Sequence, residues 1–268
     1  MSERQWAVGD EYAGFQLLQI TPLAEYKGIG YLFRHIETNM EVFQLINDDS
    51  ERFFSYVFRT LPNNDCGIAH ILEHCVLAGS KQYPVRDPFM TLLKGSTNTF
   101  MNAMTYPDKT IYPGASPLKQ DFENLFNVYT DAVFAPLLRE ETFWQEGVRL
   151  VCDADSCHFE GVVYNEMLGD SSDHDSIVGK GSVRSLFPDT PYAFESGGNP
   201  EHIVKLDYQQ FLSFYSQFYH PSNCKLFFYG NLEVGEYLSY LDTEYLTTRG
   251  SLKVNSLCPC SIPWNRER

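Results

Sequence analysis

The sequence predicts an α+β fold: one largely antiparallel sheet with helices packed on one face. Residues 13–60 alternate polar and apolar positions in several short runs, and from Pro117 onward the apolar spacing turns helical. Strand-like and helix-like stretches come in groups joined by hairpin signals. Strict β-α-β alternation, the signature of a parallel sheet, is absent.

The runs GFQLLQI, GIGYLFRHI, MEVFQLIN and RFFSYVFRT are rich in aromatic and β-branched residues, and turn-prone EYKG, ETNM and NDDSE separate them. They read as three or four antiparallel strands. His35, inside one of them, is expected on the surface and not as a ligand. LPNND breaks the pattern, and an apolar helix is expected from near Gly67 to about Gly79-Ser80. A proline-punctuated loop and a short helix follow. TNTFMNAMTYPDKTIYPGAS then reads as a hairpin around YPDK. Leu118, Phe122, Leu125, Phe126 and Tyr129 mark a helical stripe that Pro136 stops. REETFWQEGVRLV begins a second helix, with acidic residues in its first turn and Trp144 in the core. SCHFEG is a short strand or link, and VVYNEMLGD resumes a helix. SSDHDSIVGKGSVRS reads as an exposed polar stretch and DTPYAFESGGNPEHI as loop. A helix (DYQQFLSFYSQFYH), a buried strand (NCKLFFYG) and a last helix (EVGEYLSYLDTEYL) complete the domain, expected over residues 1–250. Residues 251–268 read as a linker-like tail.

With 268 residues, 43% of them hydrophobic and 15% aromatic, the chain can bury a substantial core. A formal charge of −15 argues against nucleic acid as partner, because phosphate binding needs clustered Lys and Arg. The same charge would favour basic peptides if it lined a cavity, and otherwise serves solubility. The seven cysteines have no framework spacing. Cys66, Cys75 and Cys224 suit reduced, buried thiols. Cys258-Pro259-Cys260 lacks the second pair a structural zinc site would need. No leader is read in MSERQWAVGDEY, and no run approaches a membrane span, so no membrane partner is expected and a cytoplasmic location is.

The chemistry is concentrated in His70-Ile71-Leu72-Glu73-His74. Residues four apart share a helix face, so the two imidazoles point the same way with Glu73 close by. Two neutral imidazoles and a carboxylate supply two ligands and a general base for a catalytic zinc. The order H-x-x-E-H is the inverted zinc-peptidase motif. A catalytic zinc keeps three protein ligands, so a third must come from elsewhere. Glu166 is the leading candidate, a carboxylate in an otherwise apolar helical turn. Glu160, Asp170, Asp173 and His174 compete with it.

Taken together, GIAHILEHCVLAGSKQYPVRDPF, STNTFMNAMTYPDKTIYP, REETFWQEGVRL, GVVYNEMLG, ESGGNP and FYHPSN resemble, in order over about residues 10–235, the N-terminal portion of the presequence proteases. These belong to the pitrilysin/insulysin class of inverted-motif zinc metallopeptidases. The resemblance implies that His70 and His74 bind zinc, that Glu73 is the general base and that Glu166 is the distal ligand. It also implies that the strand bearing Asn102 and Ala103 lies beside the metal and pairs with an extended, unfolded peptide. The reaction implied is peptide hydrolysis by a metal-activated water. Carboxylates or carbonyls should hold the outer nitrogens of the two rings, Glu160 being one candidate. Family members are several times longer, with two related halves closing around the substrate. The chain is therefore expected to bind Zn2+ yet cleave peptides poorly without the missing C-terminal half. Two other readings stand beside this one. A non-catalytic scaffold module of the same fold is disfavoured because all four motif residues are present. A thiol-based regulator using Cys66 or Cys75 rests on proximity to the motif alone.

Overall fold

The computed structural model describes residues 6–259. Strands β1 (Glu11–Tyr12), β2 (Phe15–Leu23), β3 (Gly28–His35), β4 (Glu41–Ile46) and β5 (Arg52–Phe58) occupy the first sixty residues. The motif helix α1 (Ile68–Val76) and α2 (Pro88–Gly95) precede β6 (Phe100–Met101), β7 (Met104–Tyr106) and β8 (Lys109–Ser116). Next come α3 (Lys119–Phe134), α4 (Glu140–Glu146), the hairpin β9 (Arg149–Cys152) and β10 (Cys157–Glu160), and α5 (Val162–Asp170). The order continues with α6 (His174–Leu186), α7 (Pro200–Ile203), α8 (Tyr208–Phe218), β11 (Cys224–Tyr229) and α9 (Val234–Leu241).

The main sheet has the order β1-β2-β3-β4-β11-β5-β8-β6, with β7 also on β8. Its pairings are antiparallel except that β11 runs parallel to β4, Leu226 facing Val42. The expected α+β class with a largely antiparallel sheet is what the structure has. β4 and β5, read as successive members of one run of antiparallel strands, are not neighbours: β11 separates them. Cys224–Tyr229 is apolar enough to sit between two strands, and only the long return through α8 brings it there.

Period-two alternation aims one face of the sheet at the helices. In β5, Phe54, Tyr56 and Phe58 are fully buried, while Phe53 and Val57 look outward. The Phe54 ring meets Phe122, Phe126 and Tyr129 of α3 edge-on at centroid distances of 5.6, 5.5 and 5.3 Å. Two pairs of buried hydroxyls inside this core satisfy each other. The hydroxyls of Tyr56 and Thr130 are 2.6 Å apart, as are those of Tyr112 and Tyr219.

Several local readings are corrected. Arg149–Cys152 is a strand, not the end of a helix, because Gly147 stops α4 and the following residues alternate against β10. Cys152 and Cys157, directly opposed there, are joined by a disulfide; Cys75 and Cys224 are buried free thiols and Cys66 is a half-buried one. The stretch around Ser176–Arg184 is exposed but helical. It has no buried residue, and is held by its Asp173 cap and by Lys180 and Arg184 instead of an apolar stripe. Trp144 is 38% exposed, whereas His35 is buried with Nε2 3.0 Å from Asp242. Residues 251–259 have no regular structure, although Ser256 is buried against Asn223. The rest of the expected tail lies outside the described residues. No helix among those described is long and apolar enough to cross a membrane.

Because Phe54 fills the centre of the aromatic cluster, Phe54→Ala should cost about 3–5 kcal/mol. Urea denaturation of the two proteins measures this directly, and a loss below about 1 kcal/mol would contradict the packing described.

Candidate metal centre

Helix α1 is apolar nearly all round. Ile68, Ala69, Ile71, Leu72, Cys75 and Val76 are buried, leaving one polar edge made of His70, Glu73 and His74. The ring centroids of His70 and His74 are 5.0 Å apart, as residues one turn apart on the same face should be. Glu166 projects from α5 toward both. Its Oε2 lies 3.6 Å from Nε2 of His70 and 4.0 Å from Nε2 of His74. One donor atom from each of the three residues lies within 4.8 Å of the others, a spacing a single metal ion can bridge.

The outer nitrogens are also occupied. Nδ1 of His70 donates to the Gly197 carbonyl at 3.0 Å, and Nδ1 of His74 to Glu146 Oε2 at 3.3 Å. A proton held on Nδ1 leaves Nε2 as the free lone pair on each ring, the tautomer a metal ligand requires. Burial pushes the His74 imidazole down. The hydrogen bond to Glu146 and the charges of Glu73, Glu146 and Glu166 outweigh it, so its pKa stands above the ordinary value. Glu73 is buried, and that burial raises its carboxyl pKa against the opposing pull of the Thr105 hydroxyl and both imidazoles. Thr105 donates to Glu73 Oε2 at 2.7 Å from β7, so the sheet edge fixes this carboxylate.

The structure therefore brings His70, Glu73, His74 and Glu166 together. The competitors of Glu166 are engaged elsewhere: Asp170 pairs with Lys180, and Asp173 caps α6. His174 is the first residue of α6 and stands outside the cluster. Glu160 does not hold either ring; it accepts from Arg149 across the exposed hairpin and pairs with His158 on its own strand. Glu146 and Gly197 take that role, and neither was legible, since they lie 72 and 127 residues from the rings they touch. Asn102 and Ala103 sit between β6 and β7, beside the motif. Tyr129 donates to the Asn102 carbonyl at 3.1 Å, and the Asn102 side chain accepts from the Ala103 N–H. Both residues line a cavity of about 880 Å³ with Leu77, Phe89 and Met90, and a second of about 540 Å³ that includes Glu166.

Residues 59–171 match the family described as Insulinase (Peptidase family M16), and residues 205–259 match the Peptidase M16 inactive domain. The chain belongs to the M16 peptidase family. This M16 chain is 44% identical over 240 residues to presequence protease 1, chloroplastic/mitochondrial, of Arabidopsis thaliana, covering 88% of this chain and 22% of that protein. It is 39% identical over 269 residues to the mitochondrial presequence protease of Mus musculus, covering 98% and 26%. Protein HypA of Clostridium perfringens is 46% identical over 239 residues, covering 88% and 25%. The chain thus spans about a quarter of the length of these curated relatives. A crystal structure of pitrilysin superposes with a TM-score of 0.69 at 20% identity, over 94% of this chain and 26% of that one, which speaks to the fold.

In this M16 domain Glu146 is, among the described residues, the side chain paired with Nδ1 of His74. Replacing the partner of a ligating histidine ordinarily weakens metal binding about 10–100-fold. Glu146→Ala should do so in a zinc competition titration with a chelator, and wild-type affinity in that variant would remove Glu146 from the site.

Proposed function

We propose that this chain is the catalytic metal-binding domain of a zinc metalloendopeptidase acting on unfolded peptides, with Glu73 as the general base. The single observation behind this reading is the convergence of His70, His74 and Glu166 around one point, with Glu73 beside it. The donor set suits zinc: two imidazole nitrogens free at Nε2 and one carboxylate, with a fourth position left for water. Zinc held there would polarise a scissile carbonyl and bring the pKa of a bound water toward neutrality.

The chain's own residues do the rest. A carboxylate whose pKa burial has raised is a better proton acceptor near neutral pH than an exposed one, and Glu73 would take the water proton and return it to the leaving amine. Thr105 keeps Glu73 in one rotamer for both transfers. Among the described residues β7 pairs with β8 alone, so an extended peptide can add along its other edge beside Asn102 and Ala103. Side chains flanking the scissile bond would enter the two cavities, the larger lined by Leu77, Phe89 and Met90. Asn102 and Ala103 are thus read as substrate-binding residues.

We read residues 1–250 as the metal-binding unit and 251–268 as a linker-like tail, and we assign completion of the substrate chamber to the part of the relatives' length that this chain does not span. By itself the chain would cleave peptides slowly. A cytoplasmic setting suits the free thiols Cys75 and Cys224, and the exposed Cys152–Cys157 bridge would be open to reduction there. The scaffold alternative draws support from the match of 205–259 to an inactive domain. That segment holds none of the four motif residues and contributes α8, β11 and α9 to the core.

Zinc content should be about one per chain and should fall in His70→Ala, His74→Ala and Glu166→Ala. Retention of full zinc by Glu166→Ala would remove it from the ligand set. In the full-length protein, Glu73→Gln should keep its metal and lose about 10²–10⁴-fold in peptide hydrolysis. Unchanged turnover would leave the base unidentified.

A further inference from the structure

We propose that Asp65 is a positioning residue for His70, acting through the loop Glu195–Asn199, an inference that rests on the metallopeptidase reading of the site. Asp65 stands five residues before His70, in the turn that enters α1. Its carboxylate and its own carbonyl grip both ends of the loop. Oδ1 accepts from the Glu195 N–H at 2.7 Å, and the Asp65 carbonyl accepts from the Asn199 N–H at 2.8 Å. Oδ1 also accepts from Arg184 of α6 at 2.6 Å, and Oδ2 lies 3.5 Å from Nδ1 of His202 in α7. Between the two grips, the Gly197 carbonyl meets Nδ1 of His70.

The loop lies in close contact with the helices on both sides of it. A Cβ on Gly67 would stand 2.6 Å from the Gly197 oxygen, and one on Gly197 would stand 2.7 Å from Met167 Sδ. The loop is therefore threaded between α1, which carries His70 and His74, and α5, which carries Glu166. Gly198 sits at φ +104°, a conformation that side-chain-bearing residues rarely adopt. Two adjacent glycines also lose more conformational freedom on ordering than any other pair, so something must hold them. The carboxylate supplies it: hydrogen bonds to a charged acceptor are shorter and stronger than neutral ones. Glu195 adds a tie, since its Oε2 pairs with Lys180 at 2.9 Å and its Oε1 accepts from the Gly197 N–H at 3.3 Å. Release of the Asp65 grip would free the carbonyl that fixes the tautomer and tilt of His70, although Asp65 itself never approaches the metal position.

The test uses the 268-residue chain with zinc and cobalt(II) as probes. Asp65→Ala should weaken zinc binding about tenfold in chelator competition, the low end for loss of a ligand's support. It should also alter the visible absorption of the cobalt form. Asp65→Asn retains an oxygen acceptor for the Glu195 N–H and should recover most of that affinity. A purely structural role would lower the Tm of the metal-free protein yet leave the zinc affinity and the cobalt spectrum as in wild type; that result in a folded Asp65→Ala overturns the proposal, as does a folded Asp65→Asn that loses zinc affinity by about tenfold or more. His70→Ala separates the two levels. Weak zinc binding there with wild-type binding in Asp65→Ala removes only Asp65, whereas no zinc binding by the wild-type chain removes the metal reading and this inference with it.

Discussion

Two imidazoles on one buried helix impose the constraint that organises this domain. Each ring has two nitrogens, and a metal can use only one of them. The other needs a partner inside the protein, because a buried polar group without one is costly. The partners come from different parts of the chain: a carboxylate ending α4 for His74 and a backbone carbonyl from a glycine loop for His70. Burial of α1 on its apolar sides keeps the helix from rotating away from either.

The rest of the fold can be seen as the frame that delivers these groups. The sheet supplies the aromatic floor on which α1 and α3 lie, and its edge presents Thr105 to Glu73. Helices α4 and α5, joined by the β9–β10 hairpin, carry Glu146 to the Nδ1 side of His74 and Glu166 to the Nε2 side of both rings. Closely spaced carboxylates at this edge would repel one another, and their charges help raise the pKa of both His74 and Glu73. A cation placed among them would relieve that repulsion, a physical reason for acidic groups to gather where the chain's overall charge is already negative.

Some of this was legible in short stretches. The α1 helix, the hairpin at β7 and β8, the helical stripe of α3 and the carboxylate of Glu166 all follow from local period and composition. The errors share one cause. α6 lacks an apolar stripe because Lys180 and Arg184 anchor it through ion pairs with distant residues. Glu160, near the site in sequence, is turned by its strand toward Arg149 and solvent, whereas Glu146, less conspicuous, faces His74. His35 reads as a surface residue until Asp242, 207 residues later, closes over it.

The sequence by itself determined the α+β class, the motif helix, the pair of imidazoles one turn apart and a short set of carboxylates from which a third donor had to come. Those properties depend on period and residue type, which act over a few residues. Only the tertiary structure decided that Glu166 is the carboxylate facing both rings, that Glu146 and Gly197 hold their outer nitrogens, and that β11 divides the early strands. Each of these depends on contacts between residues far apart in the chain. Such contacts are set by how whole elements pack, and no local pattern encodes them.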